Sequence, residues 1–359
     1  MNNFTKIITL LCFTAAFTAC SKDEDPIVTV PASDGSTLTL NGLIGAEAGT
    51  SAGNSVFVDF STDKQTSVAR ASWDLGFYSG TEYRVILNHS AGATAIATTK
   101  TNLNDVTAAD TTSLVTSATL ALGQGAGLFT TIDPIEGTAS AYLAGTVIQA
   151  VSATEADNKV YIVNRGSAGI DGNRGWQKIR VIRNASGYTL QYAKITETTF
   201  RTLNIAKDAA YNFKYASFAT GAVTVEPEKA AWDIEWGLTT YKASATTPYT
   251  FSDFVIINFV AGITASEVIF SGTTANSTIT YANFTEANLT GITFVGTRDV
   301  IGSNWRNTTG TAVGVKTDRF YLVKDGAGNI YKLKFISFHP NDSGVRGKPV
   351  IEYKLVKKA

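Results

Sequence analysis

His89 and His339 are the only histidines in this chain, and imidazole is the side chain best suited to hold a transition metal or to move a proton near neutral pH. Tyr83, Val85, Leu87 and His89 alternate along one face of a predicted strand, so His89 reads as a rim histidine at the end of a core face, with a lone ligand to iron as the alternative. His339 closes the face of Tyr331, Leu333, Phe335 and Ser337, Pro340 then stops the strand, and the same two readings apply. A site bridging both histidines is open, as is ferric iron on one of the 14 tyrosines. The only methionine is Met1, and the cysteines are Cys12 and Cys20. Motifs for catalysis are missing. Gly123-Gln124-Gly125-Ala126-Gly127 has Leu128 where a dinucleotide loop needs its third glycine, and no Gly-x-Ser-x-Gly elbow occurs. Asp171-Gly172-Asn173 has too few carboxylates for a calcium loop and reads as a turn. A pair of acids has no local signature and stays open. No catalytic residue is nominated, no metal site is expected, and binding is favoured over catalysis.

The elements that would position such residues come in two rounds. Trp73-Asp74-Leu75-Gly76-Phe77 and Trp232-Asp233-Ile234-Glu235-Trp236 repeat at an offset of 159. Val160-Tyr161-Ile162-Val163 and Phe320-Tyr321-Leu322-Val323 repeat at 160, and the strands carrying Tyr192 and Tyr353 at 161. Three landmarks in one order at one offset indicate two copies of one unit. Trp73 and Trp232 are then expected as core plugs, with Asp74 and Asp233 each accepting a local hydrogen bond. Trp176, Trp236 and Trp305 are the candidates for partly exposed groove aromatics.

Short runs of β-formers separated by Gly, Asn and Asp turns predict strands over 56–60, 71–78, 83–89, 159–164, 176–183, 188–195, 319–324, 329–339 and 350–357. The stretch 91–153 has weak periodicity and predicts short helices or loops, for example over 105–122. The expected fold is mainly β: two tandem antiparallel β-rich domains related by internal duplication, 41–200 and 201–359, joined near 196–210, with short helices or loops inserted.

Residues 1–19 have the form of a signal peptide: Lys6, an apolar run over 7–17, then Phe17-Thr18-Ala19 before Cys20. This is a lipobox pattern, in which Cys20 is acylated and anchors the chain in outer-membrane lipid. Residues 20–40 read as a flexible tether. Its acidic start, Ser21-Lys22-Asp23-Glu24-Asp25, predicts display on the cell exterior. With Cys12 removed and Cys20 acylated, no thiol remains for disulfides or nucleophilic chemistry. Without Lys6 the chain carries 29 basic against 30 acidic side chains, a balance that gives nucleic acid no basic surface.

Four features of the second half belong together: the strand-turn-strand over 213–224, Trp232-Asp233-Ile234, Gly302-Ser303-Asn304-Trp305, and the tail from Phe320-Tyr321-Leu322-Val323 through Tyr331-Lys332-Leu333-Lys334-Phe335 to Ile351-Glu352-Tyr353. In these the second half resembles the HmuY-like haem-binding lipoproteins of Bacteroidota. The first half resembles it more loosely, so the chain is expected to hold two tandem copies. The resemblance implies haem or a related tetrapyrrole as ligand and cofactor, captured for iron acquisition, with haem, a haem-carrying protein and an outer-membrane uptake receptor as partners. Family members hold haem iron through paired His or Met side chains. Here neither copy has such a pair, which leaves His89 and His339 as single candidates. The alternative is a non-haem binding or interaction module that kept the fold and lost the iron ligands.

Overall fold

Val56, Phe57 and Val58 are apolar in succession because both faces of their strand are covered, whereas Lys64-Gln65-Thr66-Ser67 beside them is polar because it forms an edge. The computed structural model describes residues 31–123, 126–167, 174–270 and 279–359. The signal peptide, Cys20, most of the tether and Asp171-Gly172-Asn173 lie outside the described residues, as do Gln124 and Gly125.

The first half contains β1 (Gly35–Thr39), β2 (Asn54–Asp59), β3 (Lys64–Ala69), β4 (Leu75–Tyr78), β5 (Val85–Leu87), β6 (Thr94–Ala97), α1 (Ala109–Thr116), α2 (Ala139–Ala144), β7 (Tyr161–Asn164), β8 (Trp176–Asn184) and β9 (Gly187–Lys194). The second contains β10 (Arg201–Ala206), β11 (Phe213–Ser217), β12 (Gly221–Val223), β13 (Ile234–Ser244), β14 (Thr247–Ile257), β15 (Thr264–Ile269), β16 (Arg306–Asn307), β17 (Gly314–Val315), β18 (Arg319–Lys324), β19 (Ile330–Ser337) and β20 (Val350–Lys357). The fold is mainly β and its strand pairings are antiparallel, as expected from the turn chemistry.

The same strand order occurs twice. One pair of sheets runs β12-β11-β4-β5 and β3-β2-β13-β14; the other runs β10-β9-β8-β7-β6 and β1-β20-β19-β18-β15. Each sheet of the first pair combines a hairpin from one half with a hairpin from the other. Val58 pairs with Ile234 and Phe57 with Glu235, while Tyr78 pairs with Phe213 and Gly76 with Tyr215. β1 adds to the last strand of the chain, with Gly35 opposite Lys354.

This corrects the expectation of two separately closed domains at 41–200 and 201–359. Hydrogen bonding crosses that boundary in three sheets, and Ala32–Ala359 form one compact unit. The cores follow the sheets. One cluster packs Val56, Phe57 and Phe60 with Trp236, Phe254, Tyr331 and Tyr353; another packs Leu75, Tyr161, Tyr188 and Leu190 with Ala216 and Phe218.

Three local expectations also change. The tether over 20–40 contains β1, and the join over 196–210 contains β10; both are edge strands, β1 on the last strand of the chain and β10 on β9 just before it. The strand expected up to His89 stops at Leu87, because the Asn88 side chain accepts from Ala91 N and starts a 3-10 turn over His89–Ala91. The strand expected over 71–78 begins only at Leu75, after a 3-10 turn at Arg70–Ser72.

Candidate ligand cavity

A cavity of about 580 Å³ opens where the two halves exchange strands, and its size is that of a small-molecule site. Tyr78 at the end of β4, Tyr211 ahead of β11 and Trp232 ahead of β13 give it aromatic walls. Asp233, Asp59 and Asp325 give it acidic ones, and Lys229 is exposed at its rim.

Asp59 and Asp325 are turn residues whose oxygens are already engaged. Asp59 accepts from Ser61 N at 2.9 Å and Thr62 Oγ1 at 2.8 Å. Asp325 accepts from the amides of Ala327, Gly328 and Asn329 at 2.8–2.9 Å. Asp233 differs. It is only 5% exposed, its Oδ2 accepts from Phe60 N at 2.8 Å, and Oδ1 receives no hydrogen bond from the described residues. Burial pushes its pKa from 3.8 up to about 8, and the charges of Asp59 and Asp325 push the same way.

The corresponding place in the first half is filled. Asp74 Oδ2 accepts from Phe218 N at 2.7 Å, the same backbone bond made across the same strand exchange. Asp74 also carries two guanidinium groups: Arg165 donates to both of its oxygens at 2.8 and 3.0 Å, and Arg174 donates to Oδ1 at 2.8 Å. Arg174 further bonds Trp73 O at 2.8 Å and Ala71 O at 3.2 Å, and the counterparts Trp232 and Ala230 line the open cavity.

Two sequence differences explain the opening. Arg165 follows β7 directly, and the residue that follows β18 directly is Asp325. The connection Arg165–Gly175 is also replaced by the shorter Asp325–Asn329, which has no counterpart of Arg174. The Trp-Asp aspartates therefore make long-range bonds across the halves, where local ones were expected.

The two histidines do not meet at this cavity or at each other. His89 is partly buried; its Nδ1 lies 3.0 Å from Thr239 Oγ1, its ring packs against Trp73 at 5.7 Å, and Arg298 donates to the same Thr239 hydroxyl at 2.6 Å. The low-polarity surroundings, with the Arg298 charge adding to them, hold its pKa well below 6.5. The cavities beside it measure about 10 and 40 Å³, far too small for a tetrapyrrole. His339 caps a 3-10 turn, its Nδ1 accepting from Asn341 N at 3.3 Å while its backbone N–H donates to Asp342. A haem held by these histidines does not fit this arrangement. Among the described residues, no three His, Cys, Asp or Glu side chains stand close enough to hold a metal ion.

The expected groove aromatics divide. Trp236 and Trp305 are 0% and 1% exposed, so they are core residues and not groove walls. Trp236 packs in the shared core, and Trp305 stacks on Phe335 with centroids 4.0 Å apart. For Trp236 the reason is the strand exchange, since its strand pairs with β2 of the other half; Trp305 is covered by Phe335 and Phe338 of its own half. Trp176 is partly exposed and packs beside Val160 and Ile162. Trp73 and Trp232 are buried, and Trp232 also faces the large cavity. Tyr192 and Tyr353 are buried at matching places on β9 and β20. Asp59, Tyr78, Tyr211 and Asp325 were not anticipated; the opposite charges at 165 and 325, at the repeat offset of 160, were the available signal.

The sequence model of the HmuY protein family matches residues 51–353 in a single span, so this chain belongs to the HmuY protein family. The match is one span across both halves, where two tandem family copies were expected. No curated protein and no solved structure matches the chain. Membership points to haem binding, and to a binding family rather than an enzyme family.

Proposed function

We propose that this protein is a ligand-capturing lipoprotein, anchored in outer-membrane lipid through acylated Cys20 and facing the cell exterior. Its ligand is haem or a related tetrapyrrole taken up for iron acquisition, handed on by a haem-carrying protein or passed to an outer-membrane receptor. The observation that carries this reading is the family match over 51–353. The cavity of about 580 Å³ walled by Tyr78, Tyr211 and Trp232 is the place for the ligand, because it has the volume and aromatic lining of a ligand site. Iron ligation by His89 and His339 is not part of this proposal.

A second reading, a non-haem binding module on the same fold, is supported by the engaged state of both histidines and by the acidic side of the cavity. Haemin titration separates the two. A saturable Soret shift at micromolar haemin, weakened in Tyr78→Ala and Tyr211→Ala and unchanged in His89→Ala and His339→Ala, supports tetrapyrrole capture in the cavity. No saturable shift removes it and leaves the second reading.

A further inference from the structure

The two halves pose one local arrangement twice and complete it once. In the first half a nearly buried carboxylate, Asp74, meets Arg165 and Arg174. In the second half the equivalent backbone amide, Phe60 N, donates to Asp233 as Phe218 N does to Asp74, but Asp325 stands in the place of Arg165, the loop that supplies Arg174 is absent, and the vacated space is an open cavity. Asp233 Oδ1 therefore faces that cavity with no donor from the described residues, although the residue is only 5% exposed. The residue is buried while this oxygen stays accessible from the cavity, and a guanidinium fork is the group whose geometry matches a carboxylate best. Tyr78, Tyr211 and Trp232 offer aromatic surface to such a cation, and the carboxylates of Asp59 and Asp325 add attraction. Lys229 opposes it only from the exposed rim. Because the three aspartates do not converge on one point, an extended organic cation fits and a bare metal ion does not.

We propose that the cavity receives a guanidinium group from outside the chain, bound to Asp233 as Arg174 is bound to Asp74. The source is a small guanidinium compound or an arginine side chain presented by a peptide. This does not rest on tetrapyrrole capture, and the two are tested by separate signals.

The test is calorimetric titration of the purified protein at about pH 8.5, above the Asp233 pKa, with L-arginine, agmatine, a Gly-Arg-Gly peptide and L-citrulline, the neutral near-isostere. The expected result is saturable binding of at least one guanidinium compound, roughly tenfold or more tighter than citrulline, as loss of a charge-assisted bond requires. Agmatine and arginine binding without the peptide identifies a small-molecule source; tighter peptide binding identifies a presented side chain. Asp233→Asn and Asp325→Arg, which restores the charge of the first half, should each weaken binding by a similar factor. Asp325→Arg remains informative if Asp233→Asn folds poorly. Citrulline binding as well as arginine, undiminished arginine binding in Asp325→Arg, or no binding of any guanidinium compound at about 10 mM overturns the proposal. A negative haemin titration beside a positive arginine titration removes tetrapyrrole capture alone, and the converse removes this inference alone.

Discussion

Arg165 and Asp325 occupy the same position in the two halves, directly after β7 and β18 respectively, and they carry opposite charge. In the first half the guanidinium neutralises Asp74; in the second the carboxylate stands near a buried acid. The energetic roles of the two repeat aspartates differ accordingly.

Asp74→Ala should be strongly destabilising. It strips the partner from Arg174 (7% side-chain exposure) and Arg165 (15%) and leaves Phe218 N without an acceptor. Removing one side of a buried ion pair costs about 3–5 kcal/mol. Asp233→Asn keeps an acceptor for Phe60 N and removes a buried acid that has no cationic partner among the described residues, so it should cost less than about 1 kcal/mol. Urea denaturation midpoints of the two variants check the contrast, and equal losses would contradict it.

Stability should depend on pH in a way that single substitutions can separate. The folded pKa of Asp233 is raised to about 8, as is that of Glu226, where burial again dominates. Each raised carboxyl contributes stability that is complete below its unfolded pKa and is lost as pH rises through about 8. His89 acts in the opposite sense: its folded pKa is depressed, so its contribution is complete above about 6.5 and is lost on acidification. Thermal melts from pH 4 to 9 should show the alkaline decline flattened in Asp233→Asn and in Glu226→Gln. The decline should persist in His89→Gln, which should instead lose part of the acid-side slope.

The buried tryptophans and the exposed one should respond differently to truncation. Trp305→Ala removes a fully buried indole stacked on Phe335 and edge-on to Phe338, at a cost of about 3–5 kcal/mol. Trp176→Ala, at the margin of a small cluster, should cost roughly half of that or less. Chemical denaturation ranks them, and a larger loss at Trp176 would contradict the core assignment of Trp305.

Neither half should fold alone. A fragment over 41–200 leaves β2 and β4 without β13 and β11, exposing Val56, Phe57, Val58 and Phe77. Fragments 41–200 and 201–359 should each lack cooperative melting, and should regain it when refolded together. A cooperative transition in either fragment by itself would contradict the shared-core description.

Much of this architecture was legible in the sequence, and the losses have identifiable causes. Strands β8, β9, β18 and β20 match their predicted spans to within about one residue, because Asn184-Ala185-Ser186-Gly187 and Asp325-Gly326-Ala327-Gly328 mark their turns. The repeat offset located Trp73 and Trp232 correctly as matching elements. Strand exchange was not legible, because periodicity reports which face of a strand is buried and not which chain segment covers it. That is why Trp236 was expected at a groove. β1 and β10 were missed because polar edge strands such as Gly35–Thr39 look like tether until a partner is known. Asp233 was marked as a repeat residue but its unmatched charge was not, since the contrast appears only when Arg165 and Asp325 are compared at one offset.

The pairing of Gly35–Thr39 with Val350–Lys354 has a consequence for biogenesis. On the ribosome, the first strand to emerge has no place to settle until almost the last residues have been synthesised. The sheet that holds both strands is therefore the last of the large sheets to be completed, since the other three have all their strands by Ile257.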